Sequence, residues 1–135
     1  MRWFEDHRVG DRAAFGRYAV TQAEIDDFAA RYDPATAGGA ASTWLVSAIM
    51  VRIVVDHFTA AGSAAIGSPG FDGLRWLEPV HAGDVLRVEE EVTEIRPSRS
   101  RTDIGSVNAR VTVLNQRDQP VMTIGTISLV RRRPA

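Results

Sequence analysis

Apolar and polar positions change their period several times along the chain, and each change marks an element. In Phe15-Gly16-Arg17-Tyr18-Ala19-Val20, aromatic and β-branched residues alternate with small or polar ones, which is the period of a strand. Thr21 follows with Glu24 three residues on, a capping-box spacing, and Ile25, Phe28, Ala29 and Tyr32 then share one helical face. Asp33-Pro34 ends that short amphipathic helix, and the small residues Ala35 to Ala41 carry no period and read as a loop. From Ser42 or Thr43 the chain becomes strongly apolar through Trp44, Leu45, Ile49, Met50, Ile53, Val54 and Phe58, ending near Gly62. Its β-branched content suggests a strand, but about 20 residues without a turn signal exceed strand length, so length decides for a helix.

Four strand patterns follow, over Gly70 to Leu77, Val85 to Ile95, Ser106 to Leu114 and Val121 to Val130. In the third, Val107, Ala109, Val111 and Val113 alternate with Asn108, Arg110 and Thr112, as in a sheet with one buried face. Asn115 to Pro120 then reads as the hairpin connection. No helix separates these last strands, which excludes a doubly wound fold and points to an α+β domain over residues 1–135, its sheet wrapped around one long helix. No repeat or linker divides it.

Composition narrows the chemistry. With 135 residues, 44% of them hydrophobic, the chain suffices for one core. A net charge of -1 gives no electrostatic case for nucleic acid or an anionic membrane surface. The absence of cysteine excludes disulfides, thiolate nucleophiles and cysteine-ligated metals, and with no signal peptide the cytoplasm is expected. The apolar stretch from Trp44 to Phe58 carries Arg52 and Asp56 and falls short of the ~20 residues that span a bilayer, so it is expected to be a buried helix. Every basic residue is arginine, from which no mechanism follows.

The run from Leu74 to Asp84, in which Pro79 and Gly83-Asp84 end one strand and start the next, is the most specific part of the chain. Together with Gly67-Ser68-Pro69-Gly70 upstream and the turn Arg96 to Arg101 downstream, it resembles the MaoC-like dehydratases, relatives of the (R)-specific enoyl-CoA hydratases, over nearly the whole length. The resemblance implies a hot-dog fold, a homodimer or a heterodimer with a related hot-dog subunit, and an acyl-CoA or acyl carrier protein thioester as ligand. It implies neither a redox cofactor nor a metal. The strand-exit and basic-turn patterns match the hydratases better than the thioesterases of the same fold.

Hydration of an enoyl thioester needs a water deprotonated as it attacks C3 and a proton delivered at C2. The family meets this with an Asp and a His in an Asp-x-Asn-Pro-x-His motif or a variant beginning Asp-Pro. Asp33-Pro34 matches the start and makes Asp33 the candidate base, but Gly38 stands at the imidazole position, Ala35 and Thr36 at the Asn and Pro positions, and Leu45 where a second histidine often follows the helix tryptophan. The loop after Asp33 is also shorter than the family pattern. Asp before Pro is equally a common helix stop, which is the plainer reading of Asp33. Gly38-Gly39-Ala40-Ala41-Ser42 leads into the apolar helix, where free backbone amides and the dipole suit an oxyanion. The resemblance gives the oxyanion contact to Gly39, and Ser42, which can cap the helix, is the second residue expected at the substrate-binding site; a simple capped loop is the competing reading.

His57, near the far end of that helix, lies about 20 Å from its start at 1.5 Å per residue and is expected to be solvated or to complement the dipole. His81 falls in a turn and His7 in the N-terminal segment, and the three have no metal-ligand spacing. Arg96, Arg99 and Arg101 could meet coenzyme A phosphates, although such a cluster is more often a solvated hairpin tip, and the same holds for Arg131-Arg132-Arg133. Trp44 and Trp76 are expected in the core or at a dimer interface, with lining of an acyl tunnel as the alternative. Two functions stay open: a hydro-lyase with Asp33 as base, and a catalytically silent subunit that binds acyl thioesters or stabilises an active partner.

Overall fold

Thr21 opens the first helix as its spacing predicts. In the computed structural model, which describes residues 1–135, the Thr21 hydroxyl accepts the Glu24 amide at 3.2 Å, and the Glu24 carboxylate accepts the Thr21 amide at 2.8 Å. The helix it caps, α1, spans Gln22–Tyr32 and buries Ile25 and Ala29. Thr21→Ala is expected to cost about 1 kcal/mol, the usual value of a lost cap, measurable by urea unfolding.

The strand β1 (Arg12–Ala19) precedes α1, and the long helix α2 (Thr43–Ala60) follows it. Four strands complete the chain: β2 (Ala65–Trp76), β3 (Val85–Pro97), β4 (Ile104–Leu114) and β5 (Pro120–Arg131). They form one antiparallel sheet in the order β1-β3-β4-β5-β2. This is the expected α+β, hot-dog arrangement. The second strand begins five residues earlier than its pattern suggested, at Ala65 rather than Gly70. Gly67 and Pro69-Gly70 are absorbed as register shifts against β5, which an edge strand tolerates because one side of it needs no ladder bonds.

One face of α2 packs on the sheet. Leu45, Val46, Ile49, Met50 and Ile53 join Leu86 and Val88 of β3, Val111 and Val113 of β4, and Met122 and Ile124 of β5 in the main core. A smaller cluster of Phe4, Ala64, Val92, Val107 and Val130 closes the other end of the sheet. The helix is not buried all round, however. Trp44, Val51 and Val55 are each more than half exposed, on the stripe that faces away from the sheet. Phe71, Trp76 and Leu77 continue this apolar surface onto edge strand β2 and the residue that follows it.

Candidate active site at the start of the long helix

Asp33 ends α1 and is half-buried, its amide donating to the Ala29 carbonyl at 3.1 Å and its own carbonyl accepting from the Thr36 amide and hydroxyl. Those bonds satisfy the helix-stop reading. The carboxylate does something further: its Oδ2 accepts the Ser42 hydroxyl at 2.7 Å, and Ser42 is almost fully buried. Ser42 Oγ in turn accepts the Trp44 amide at 3.2 Å as the N-cap of α2. The acid is thereby tied to the residue that caps the central helix. Asp33 Oδ1 accepts no bond from the chain and remains free to accept a proton from a ligand.

The loop from Leu77 to Asp84 holds this corner in place. The Val80 carbonyl accepts the Ala41 amide at 2.8 Å, and the Asp84 carboxylate accepts the His81 amide and the Gln116 side chain, both at 2.9 Å. Burial pushes the Asp84 carboxyl up, but the His81 amide and Gln116 outweigh it and hold the group below its ordinary value. The loop from Leu77 to Asp84 therefore positions the start of α2, and within the strand-exit run it is Leu74 that lines the groove.

Gly38 has φ +77, a left-handed conformation that an imidazole-bearing residue rarely adopts, so the loop geometry as well as the sequence departs from a histidine there. Gly39 differs from the oxyanion expectation, since its amide donates to the Thr36 carbonyl at 3.0 Å. The amides of Ala40 and Thr43 bond to nothing in the chain, and Thr43 is the first residue of α2.

No histidine joins Asp33. His57 lies in the last turn at the opposite end of α2, the dipole-complementing position, and is half-buried: its ring stacks on Phe15 at 3.7 Å with planes 3° apart. Burial, with the Arg2 charge second, holds this imidazole below its ordinary pKa. His7 Nδ1 is bonded to the Trp3 carbonyl at 2.9 Å. His81 is exposed, but its neighbour Val80 touches Ala41, so the chain brings it within two residues of Ser42 at the backbone.

The arginines are largely spoken for. Arg96 pairs with Glu94, Arg101 with Asp103 at 2.6 Å, Arg132 with Glu5 at 2.9 Å and Arg133 with Asp6 at 2.6 Å, which favours the solvated-tip reading and leaves Arg99 and Arg131 without an ion pair.

Trp44 and Trp76 are not core residues. They meet edge to face at 4.9 Å, and the Trp76 indole donates to Ser47 at 3.1 Å. Both are surface aromatics at one end of an apolar groove of about 320 Å³, walled by Trp44, Val51, Val55, Phe71, Leu74 and Ile124. The groove runs along α2 away from the Asp33 corner.

At its far end lies a residue that the pattern analysis passed over. Glu90 sits on the inner face of β3, in the alternation Leu86, Val88, Glu90, Val92, and faces the groove. Burial raises its pKa, with the Arg2 charge opposing weakly. An acid with a raised native pKa keeps its proton where the unfolded chain has lost it. Stability therefore falls as pH climbs from the ordinary glutamate value through the raised one, and the loss is complete above it. Glu90→Gln is expected to gain Tm over the native protein across that window and to hold the gain at neutral pH, as a pH series of thermal melts would register. The signal was present in the sequence as one charge within an otherwise apolar alternation.

No protein-family model matches the chain, and no curated protein matches it. Solved structures do. The MaoC-like dehydratase from Rhodospirillum rubrum is 33% identical, with 98% of this chain and 99% of that one covered, at a TM-score of 0.84. The chain belongs to the MaoC-like dehydratase family. A protein from Archaeoglobus fulgidus described as a monoamine oxidase regulatory protein is 26% identical, covering 98% of this chain and 95% of that one, at a TM-score of 0.86. The R-hydratase PhaJ1 from Pseudomonas aeruginosa shares the fold at 21% identity and a TM-score of 0.67, over 98% of this chain and 87% of that one.

Proposed function

We propose that this MaoC-like chain binds an acyl thioester of coenzyme A or an acyl carrier protein and adds water to its 2-enoyl form, or removes it from the (R)-3-hydroxyacyl form. The observation that carries the reading is the Asp33 carboxylate, fixed by buried Ser42 at the N-terminus of the helix that walls an apolar groove. Asp33 Oδ1 takes a proton from water as the oxygen bonds to C3, and the electron pair of the C2–C3 double bond shifts toward the thioester oxygen. Ala40 and Thr43 amides, with the α2 dipole, stabilise the negative oxygen, while Gly38 and Gly39 let the backbone approach it closely. The acid formed on Asp33 then protonates C2 and returns to carboxylate, so all atoms balance. Ser42 positions the carboxylate throughout.

A second hot-dog subunit, a copy of this chain or a related one, covers the outer stripe of Trp44, Val51 and Val55 and encloses the groove. One observation favours the alternative of a catalytically silent subunit: no imidazole is bonded to Asp33. Loss of enoyl absorbance with crotonyl-CoA and a longer 2-enoyl-CoA decides between them. Turnover is expected. Acyl-CoA binding without turnover would replace the hydro-lyase by the silent subunit, and no binding at all would overturn both.

A further inference from the structure

The inner face of a sheet beneath a helix should be apolar throughout, and here it is not. Between the main core and the smaller cluster runs a polar band. On β3 it is Glu90, between Val88 and Val92; on β5 it is Thr126 and Ser128, between Ile124 and Val130. These three side chains come from strands on either side of β4, whose Ala109 is the small residue between them. Ala109 leaves room there that a larger residue would fill.

The band forms a shared wall. Phe58, Glu90, Thr126 and Ser128 line both the end of the apolar groove and a void of about 20 Å³ behind it, whose other side carries His7 and Ser63. A space of that size holds one water-sized oxygen and little more. The Glu90 carboxylate accepts no hydrogen bond from the chain, although the groove that it faces is otherwise walled mainly by hydrocarbon. An unpaired acid facing such a groove costs stability, and proteins break a local pattern in this way chiefly at functional sites.

We propose that Glu90, Thr126 and Ser128 recognise a hydroxyl group at the far end of the acyl chain, so that the thioesters taken by this protein carry a distal alcohol. This deepens the reading of the groove as an acyl site and rests on it. A hydroxyl is the group that fits. It donates to the Glu90 carboxylate and accepts from the Ser128 hydroxyl, beside a Thr126 whose own hydroxyl donates to the Ala109 carbonyl at 3.4 Å; it matches the one-oxygen space, and it joins a hydrocarbon chain that the rest of the groove accommodates. A distal carboxylate would meet the like charge of Glu90, and a plain methyl end would leave the Glu90 and Ser128 side chains unpaired.

The test is a titration of the intact protein with a homologous series of straight-chain saturated acyl-CoAs and their terminally hydroxylated counterparts, followed by tryptophan fluorescence. At the length that spans the groove, the hydroxylated ligand is expected to bind at least about tenfold tighter, a factor that one hydrogen bond to a charged group sustains. Glu90→Leu is expected to abolish that preference and to improve binding of the plain chain, while Glu90→Gln keeps part of the preference because the amide oxygen still accepts. Should Glu90→Leu fail to fold, Ser128→Ala and Glu90→Gln carry the comparison. Equal affinities of the two series at every length, or a preference that survives all three substitutions, would overturn the proposal and leave the acyl site standing. Absence of binding by every acyl-CoA would overturn the acyl reading and this inference with it.

Discussion

Asp33→Asn is expected to lower kcat on a 2-enoyl-CoA by about 10²- to 10⁴-fold, the range a positioned general base contributes. Asparagine has the same shape, and its side-chain oxygen can still accept the Ser42 hydroxyl, so the corner at the start of α2 should keep its geometry. What it lacks is an oxygen able to take up a proton at neutral pH. Binding should survive, with the acyl-CoA Kd within about twofold, because the groove contributes no contact through Asp33. That split between kcat and affinity separates loss of a base from loss of a fold. A variant that turned over as fast as the native protein would remove Asp33 from the chemistry and confine it to its helix-stop role.

The other large effect is on stability. Gly16→Ala should destabilise the protein by about 2 to 5 kcal/mol, the sum of a left-handed backbone penalty and an overpacking penalty. Gly16 has φ +89 at the register shift between Phe15 and Tyr18 in β1, and a Cβ there would fall 2.3 Å from Ile53 Cγ2 of α2. Ile53 belongs to the main core and is 6% exposed, so it has little room to yield. The bare backbone is thus what allows β1 to lie against the central helix. Urea unfolding of Gly16→Ala, Ile53→Ala and the double variant forms a cycle: the double variant should cost less than the sum of the singles, because removing Cγ2 relieves the clash and leaves only the backbone term. Additive costs would show that packing against Ile53 is not the cause.

The two effects differ in how far they could be foreseen. Asp33 stands out in the sequence because Asp-Pro after an amphipathic helix matches a family motif, and the missing histidine is equally plain from Gly38. Gly16 reads only as a small residue in a strand pattern. Its importance arises from Ile53, 37 positions later, and no local pattern carries that contact.

The elements and their order, the capping of α1 by Thr21 and Glu24, the capping of α2 by Ser42, and the α+β class are all legible in the amino-acid sequence. These depend on side-chain period and on hydrogen bonds between residues two or three apart, which are local physics. The order β1-β3-β4-β5-β2, the outward placing of Trp44 and Trp76, and the stacking of half-buried His57 on Phe15 come from contacts between distant segments. The tertiary structure alone joined Asp33 to Ser42 across the loop, and gathered Glu90, Thr126 and Ser128 at one end of a groove. The reason is physical: a strand's period says which residues share a face, whereas register and sheet order, set by contacts between distant segments, decide which faces meet.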